Sequence, residues 1–172
     1  MNIAVHGRAR NEQSSGFIRK FFPHLADCCE TLLVSEDLNE IVAECLPENA
    51  EIVPSDQLRS KSPDLFVSLG GDGTILETTR LIGRSGIPIL GINTGRLGYL
   101  SSAGHATAVE TLELLKRGEY DLEARRLLEV EIANNPFGKQ NFALNEFAIH
   151  KSDSVSMITV HVEVDGLFLN SY

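Results

Sequence analysis

Along the first part of the chain, apolar positions switch repeatedly between strand-like runs and helical spacing. Ile3 to His6 reads as a short buried strand. Phe17, Ile18, Phe21, Phe22 and Leu25 then recur at helical spacing, with Pro23 as an expected kink or boundary. Thr31 to Val34 predicts a second strand. In the helix expected next, Asp37 and Glu40 stand in the pattern of a capping box ahead of Ile41, Val42 and Cys45, and Pro47 ends it. After a loop holding Pro54 and Pro63, Leu65-Phe66-Val67-Ser68-Leu69 is apolar on both faces, as a central strand covered by helices must be. Thr74 to Leu81 predicts a helix and Ile87 to Ile92 a further strand, with Pro88 at its start or edge.

Strands separated by helices imply right-handed crossovers, so residues 1–103 are expected to form an α/β domain with a doubly wound, mostly parallel sheet. The pattern changes near Gly104. A Leu-rich helix over Val109 to Lys116 leads through Gly118 into strand-like segments at Leu128 to Ile132, Phe142 to Ile149 and Ile158 to Val164. Turn signals at Asn134-Asn135-Pro136-Phe137-Gly138 and Asp165-Gly166 separate them. Residues 104–172 therefore predict a linker helix and the first part of a β-rich, antiparallel C-terminal domain. A sheet stopping just past a hairpin signal would leave an open edge, and the chain is expected to be a piece of a longer protein.

Composition narrows the setting. With 42% apolar residues the 172-residue chain can build a sizeable core. A formal net charge of −9 argues against nonspecific binding to nucleic acid or an anionic membrane. Cys28, Cys29 and Cys45 form an odd set without metal-ligand spacing and are expected to be reduced thiols. No basic n-region opens the chain and no segment reaches the roughly 20 apolar residues that span a bilayer. A soluble, cytoplasmic protein is the expectation.

The candidate chemistry lies where the central strand ends, at Gly70-Gly71-Asp72-Gly73-Thr74. Consecutive glycines permit positive φ and let a ligand approach bare backbone. The helix that follows offers free N–H groups and the positive end of its dipole, which suit phosphate. Asp72 would repel phosphate unless it meets a cation or a hydroxyl about to become a nucleophile. That pairing points to phosphoryl transfer, for which a weak but well-placed base suffices. The bland alternative is a tight turn whose Asp only caps a helix. A second glycine turn, Gly91 to Leu100, follows the next strand and so lies at the same carboxyl end of the sheet, where open α/β sheets bind ligands. There Asn93 could bond phosphate or ribose and Tyr99 could pack on an aromatic ring; equally, the glycines only turn the chain and Tyr99 is core.

The Gly-Gly-Asp-Gly-Thr loop, the segment Gly91-Ile92-Asn93-x-Gly95-x-Leu97-Gly98-Tyr99-Leu100 and, about fifty residues on, Leu144-Asn145-Glu146 resemble the NAD kinase family in order and spacing. The first element alone is shared with diacylglycerol, sphingosine and phosphofructokinase relatives; the second is far more specific. The resemblance implies transfer of the γ-phosphoryl group of ATP or another donor to the adenosine 2′-hydroxyl of NAD. By position, Asp72 resembles the general base, and Gly70, Gly71, Gly73 and Thr74 match the phosphate loop. The NAD-binding set is then Asp72, Gly73, Asn93, Tyr99, Asn145 and Glu146. A divalent cation, Mg²⁺, is expected to come with ATP without a dedicated protein metal site, and the full-length protein to be a homo-oligomer. One residue departs from the pattern: many members carry a basic residue where Glu77 stands. The resemblance implies that the family continues beyond a position like Tyr172 into a second Asp-Gly element and a Thr-Pro-x-Gly segment that complete the site, so the 172 residues alone are expected to be inactive. The competing expectations are a lipid or diacylglycerol-type kinase and a non-catalytic nucleotide-binding module.

Overall fold

The computed structural model describes residues 1–95, 98–150 and 157–172. Five strands form one parallel sheet: β1 (Asn2–Gly7), β2 (Thr31–Ser35), β3 (Ala50–Val53), β4 (Leu65–Gly70) and β5 (Ile89–Asn93), in the order β3-β2-β1-β4-β5. Helices α1 (Glu12–Ala26) and α3 (Asp72–Ile82) connect strands in this sheet, and the short α2 (Asn39–Val42) lies between β2 and β3. The alternation of strand side chains builds two cores. Ile3, Val5, Val67, Leu69 and Ile92 pack with Ile18, Phe21 and Phe22 of α1 and with Leu112 of α4 (Ala108–Arg117). Ala4, Leu33 and Phe66 pack on the other face with Leu58 and Ile82. The doubly wound parallel sheet is thus as expected.

Phe66 sits at the centre of the second core and is fully buried. Truncating it leaves a cavity that the rigid central strand cannot close. Phe66→Ala is expected to cost about 3–5 kcal/mol of stability, read from the shift in a urea unfolding curve.

Several local expectations are corrected. Helix α1 runs through Pro23 to Ala26, so of kink or boundary the boundary is excluded, and Leu25 is helical as its spacing predicts. Burial of Phe21, Phe22 and Leu25 offsets the hydrogen bond that a proline removes. Its N-terminus carries a capping box between Asn11 and Ser14 that the apolar pattern does not reveal. Asp37 caps nothing: Ser35 caps a tight 3-10 turn over Glu36–Leu38 and α2 has no side-chain cap. Asp37 instead accepts the hydroxyls of Ser55 at 2.6 Å and Ser35 at 3.1 Å. The Ser55 hydrogen bond, with that of Ser35, holds its carboxyl below the usual range against partial burial. Strand β3 lies inside the supposed Pro54 loop; only Val53 of its four residues is buried, so an edge strand leaves little apolar signal.

Beyond α4 the expected antiparallel pairing is present but shorter. β6 (Leu128–Glu129) pairs β7 (Phe142–Ala143), in place of the longer runs expected to reach Ile132 and Ile149. A strand persists only as far as a ladder partner does; past this pair the Val130 amide still donates to the Asn141 carbonyl at 2.9 Å, and the turn at residues 134–138 follows. β8 (His161–Val164) and β9 (Leu167–Ser171) form the hairpin about Asp165-Gly166, both at positive φ. Arg84 fastens this region to α3: it meets Glu129 at 2.7 Å and lies over the Phe142 ring.

Candidate functional site

Chain direction fixes where a ligand can bind. From β1 the chain passes to β2 on one side, and from β4 to β5 on the other, so the adjacent ends of β1 and β4 are a topological switch point. A cavity of about 1070 Å³ opens there. Three segments line it, each leaving a strand at its carboxyl end: Arg8 to Ser14 after β1, Gly71 to Glu77 after β4, and Asn93 to Gly98 after β5. Arg96 and Leu97 of the last segment lie outside the described residues.

Helix α3 is aimed by its packing. The Thr78 hydroxyl donates its one proton to the Thr74 carbonyl at 2.9 Å and lies 3.1 Å from the Ser68 hydroxyl of β4, from which it can accept, so both buried hydroxyls are satisfied. Gly71 occupies the N-cap in extended conformation (φ −102°, ψ −169°) and offers no capping side chain; its carbonyl takes the Thr74 amide at 2.9 Å and the Ile75 amide at 3.2 Å, so among the described residues the Asp72 and Gly73 amides are left for another acceptor. Neither Gly70, Gly71 nor Gly73 adopts the positive φ that two glycines permit. They serve close approach instead. A Cβ on Gly70 would lie 2.1 Å from Thr74 Oγ1, so Gly70 stands behind the cavity and seats the buried Thr74. A Cβ on Gly71 or Gly73 would meet nothing within 4 Å and would take up space at the cavity wall.

Asp72 is the centre of the arrangement. Its Oδ2 accepts the amide of Tyr99 at 2.8 Å and its Oδ1 the amide of Leu100 at 3.1 Å. Gly98 makes this embrace possible, because a Cβ there would fall 2.2 Å from Asp72 Oδ1. Loop glycines of the second motif had pointed only to a turn; this one sets the position of a carboxylate from the first. Asn93 is buried on the cavity wall, accepting the Gly95 amide at 2.8 Å and donating to Ser101 at 3.4 Å. The Tyr99 side chain is 97% exposed, which removes the reading of it as core.

The structure does not bring every expected residue to one place. Asn145 and Glu146 are exposed and line a separate groove of about 200 Å³ with Leu76, Thr79 and Arg80 of α3. Conversely, the cavity includes residues that motif reading passed over: Arg8, Arg10, the α1 N-terminus from Asn11 to Ser14, and His105, whose ring stacks on Phe17 at 4.0 Å. Nothing local in the sequence marks them. Behind the cavity, His6 is buried, with Nδ1 3.1 Å from Ser35 Oγ and Nε2 3.4 Å from Glu77 Oε2. That second contact lacks hydrogen-bond alignment, so His6 Nε2 is a buried polar atom without a hydrogen-bond partner among the described residues.

Comparison with known proteins places this geometry. The family model for the ATP-NAD kinase N-terminal domain matches residues 3–120. An NAD kinase of Cytophaga hutchinsonii is 39% identical over 175 residues, covering all of this chain and 60% of that protein. One of Flavobacterium psychrophilum is 34% identical with the same coverage. The chain thus spans about 60% of the length of these curated relatives. The crystal structure of yeast NADH kinase complexed with NADH superposes with a TM-score of 0.75 over 99% of this chain and 54% of that one; at 20% identity it supports the fold. The matched residues run from β1 through α4 and take in every loop that lines the cavity, and the chain belongs to the NAD kinase family.

Proposed function

We propose that the gene product carrying these residues transfers the γ-phosphoryl group of ATP to the adenosine 2′-hydroxyl of NAD, giving NADP. One observation carries the reading: a carboxylate, Asp72, stands at the mouth of a helix N-terminus inside the switch-point cavity, held on both oxygens by backbone amides. Each carboxylate oxygen has a further lone pair, so Asp72 can still accept a proton from an acceptor hydroxyl. Phosphate oxygens of the substrates would take the amides after Gly71, with Gly73 and Thr74 beside them. Asn93 on the cavity wall, and Tyr99 next to the lining residue Gly98, are assigned to the dinucleotide. Transfer itself asks mostly for positioning and charge balance. A divalent cation entering on the donor phosphates would neutralise charge there.

The same reading assigns Asn145 and Glu146 to NAD through ribose hydroxyls, which their acceptor oxygens can take. That contact requires the groove beside Leu76 and the Asp72 cavity to serve one extended ligand. The division into an α/β phosphate-binding domain and a β-rich NAD-binding part near residue 104, a cytoplasmic setting and a homo-oligomeric assembly belong to this proposal too. Among the described residues no helix is long and apolar enough to cross a membrane.

Radiolabelled ATP offered with NAD and diacylglycerol side by side tests the reading. Label is expected in NADP; label in the lipid alone would overturn it. The 172 residues by themselves are expected to give little or no NADP, since they span about 60% of their relatives' length.

A further inference from the structure

The cavity poses a charge problem. Its lining carboxylates are Asp72 and Glu77, yet the proposed reaction brings a triphosphate to it. Helix α3 offers no cation near its start. Its basic residue is Arg80 in the last turn, which donates to Gln140 at 2.8 Å and lines the separate groove. The side chain that α3 turns to the cavity beyond its first turn is Glu77, so a cation for the donor must come from another part of the lining.

We propose that Arg8, carried on the loop after β1, engages the terminal phosphates of the donor, and that Glu77 positions it. This rests on the kinase reading above. Arg8 lines the cavity and is fixed at both ends: its amide donates to the Leu69 carbonyl at 3.0 Å, and its Nη2 to Glu77 Oε1 at 2.6 Å. The first bond ties it to β4, whose next residues are the phosphate loop. A guanidinium has five donors in a planar fork, so the single Glu77 bond leaves the rest for phosphate oxygens. Glu77 in turn is backed by the buried His6, whose other nitrogen rests on Ser35, and Ser35 on Asp37 and Ser55. Glu77 on α3 therefore holds a cation from the neighbouring strand end, with the buried His6 and Ser35 behind it.

The test compares KM for ATP with KM for NAD, and binding of AMP, in the full gene product. Arg8→Ala is expected to raise KM for ATP about ten- to a hundredfold, the range for losing a charge-assisted hydrogen bond. KM for NAD and affinity for AMP, which lacks the terminal phosphates, are expected to stay within about twofold. Arg8→Lys keeps the charge without the fork and should lie between. Adding Glu77→Arg to Arg8→Ala is expected to recover ATP affinity by restoring a cation on α3. An unchanged KM for ATP in Arg8→Ala would overturn the assignment, as would equal losses for ATP, AMP and NAD in both Arg8 variants. Should the wild-type protein phosphorylate no NAD, the kinase reading itself fails; NADP formation with an indifferent Arg8 removes only this inference.

Discussion

Asp72→Asn is expected to abolish NADP formation by the full gene product while NAD still binds. The substitution keeps shape and removes the base. Loss of a positioned general base costs roughly 10²–10⁴ in rate. A second effect adds to it. Asp72 accepts two amides, from Tyr99 and Leu100, one on each oxygen. Asparagine has one oxygen, so its amide group must face one of those N–H donors, and a hydrogen bond to a charged group, worth roughly 1.5–3 kcal/mol, is lost. The loop carrying Tyr99 should loosen, so NAD affinity is expected to fall by a few-fold at most while turnover disappears. Calorimetric titration with NAD and an NADP assay on the same preparation separate the two. Wild-type-like turnover would sink the assignment of Asp72 as base.

Gly98→Ala is expected to reduce turnover at least about a hundredfold while every reacting group keeps its identity. Its new Cβ would lie 2.2 Å from Asp72 Oδ1 and 2.4 Å from Cγ. Either the carboxylate turns away or residues 98–100 retreat, and both movements break the pair of hydrogen bonds. Displacing a reacting group by about 1 Å is enough for a loss of this size. Overpacking adds about 1–3 kcal/mol of destabilisation, so the unfolding midpoint must be recorded beside the rate. Gly104→Ala is the control, because a Cβ there meets nothing within 4 Å. A Gly98→Ala protein that turns over like wild type would show that the Asp72 contacts with Tyr99 and Leu100 do not matter to the chemistry.

Much of the parallel-sheet region was legible because its signals are local. Leu65 to Leu69 is apolar on both faces since β4 is central, and Thr74 to Leu81 has helical spacing since α3 rests on that strand. The edge strand β3 escaped because half-exposed residues need not be apolar, and its Glu51 and the following Pro54 read as loop. Asp37 was misread for a different reason. The residue pattern of a capping box was there, but Ser55 from the end of β3, 18 residues away in sequence, offered its carboxylate a stronger partner than the helix amides did. The C-terminal strands were placed correctly and drawn too long, because alternation records which residues can join a ladder and not how far a partner accompanies them.

The place of the loop Gly70 to Thr74, between a buried strand and a helix start, was determined by the sequence alone. Strand period, glycine and helix start are set by neighbouring residues, and together they mark a strand-to-helix turn with one carboxylate in it. What surrounds that carboxylate was decided only by the tertiary structure. Parallel strand order makes a switch point of β1 and β4, which sets Arg8 against Glu77 across 69 residues and the amides of Tyr99 and Leu100 against Asp72 across 27 and 28. No local pattern encodes such meetings, because they depend on which strand lies beside which. That order is chosen by the burial of both sheet faces, a property of the whole domain.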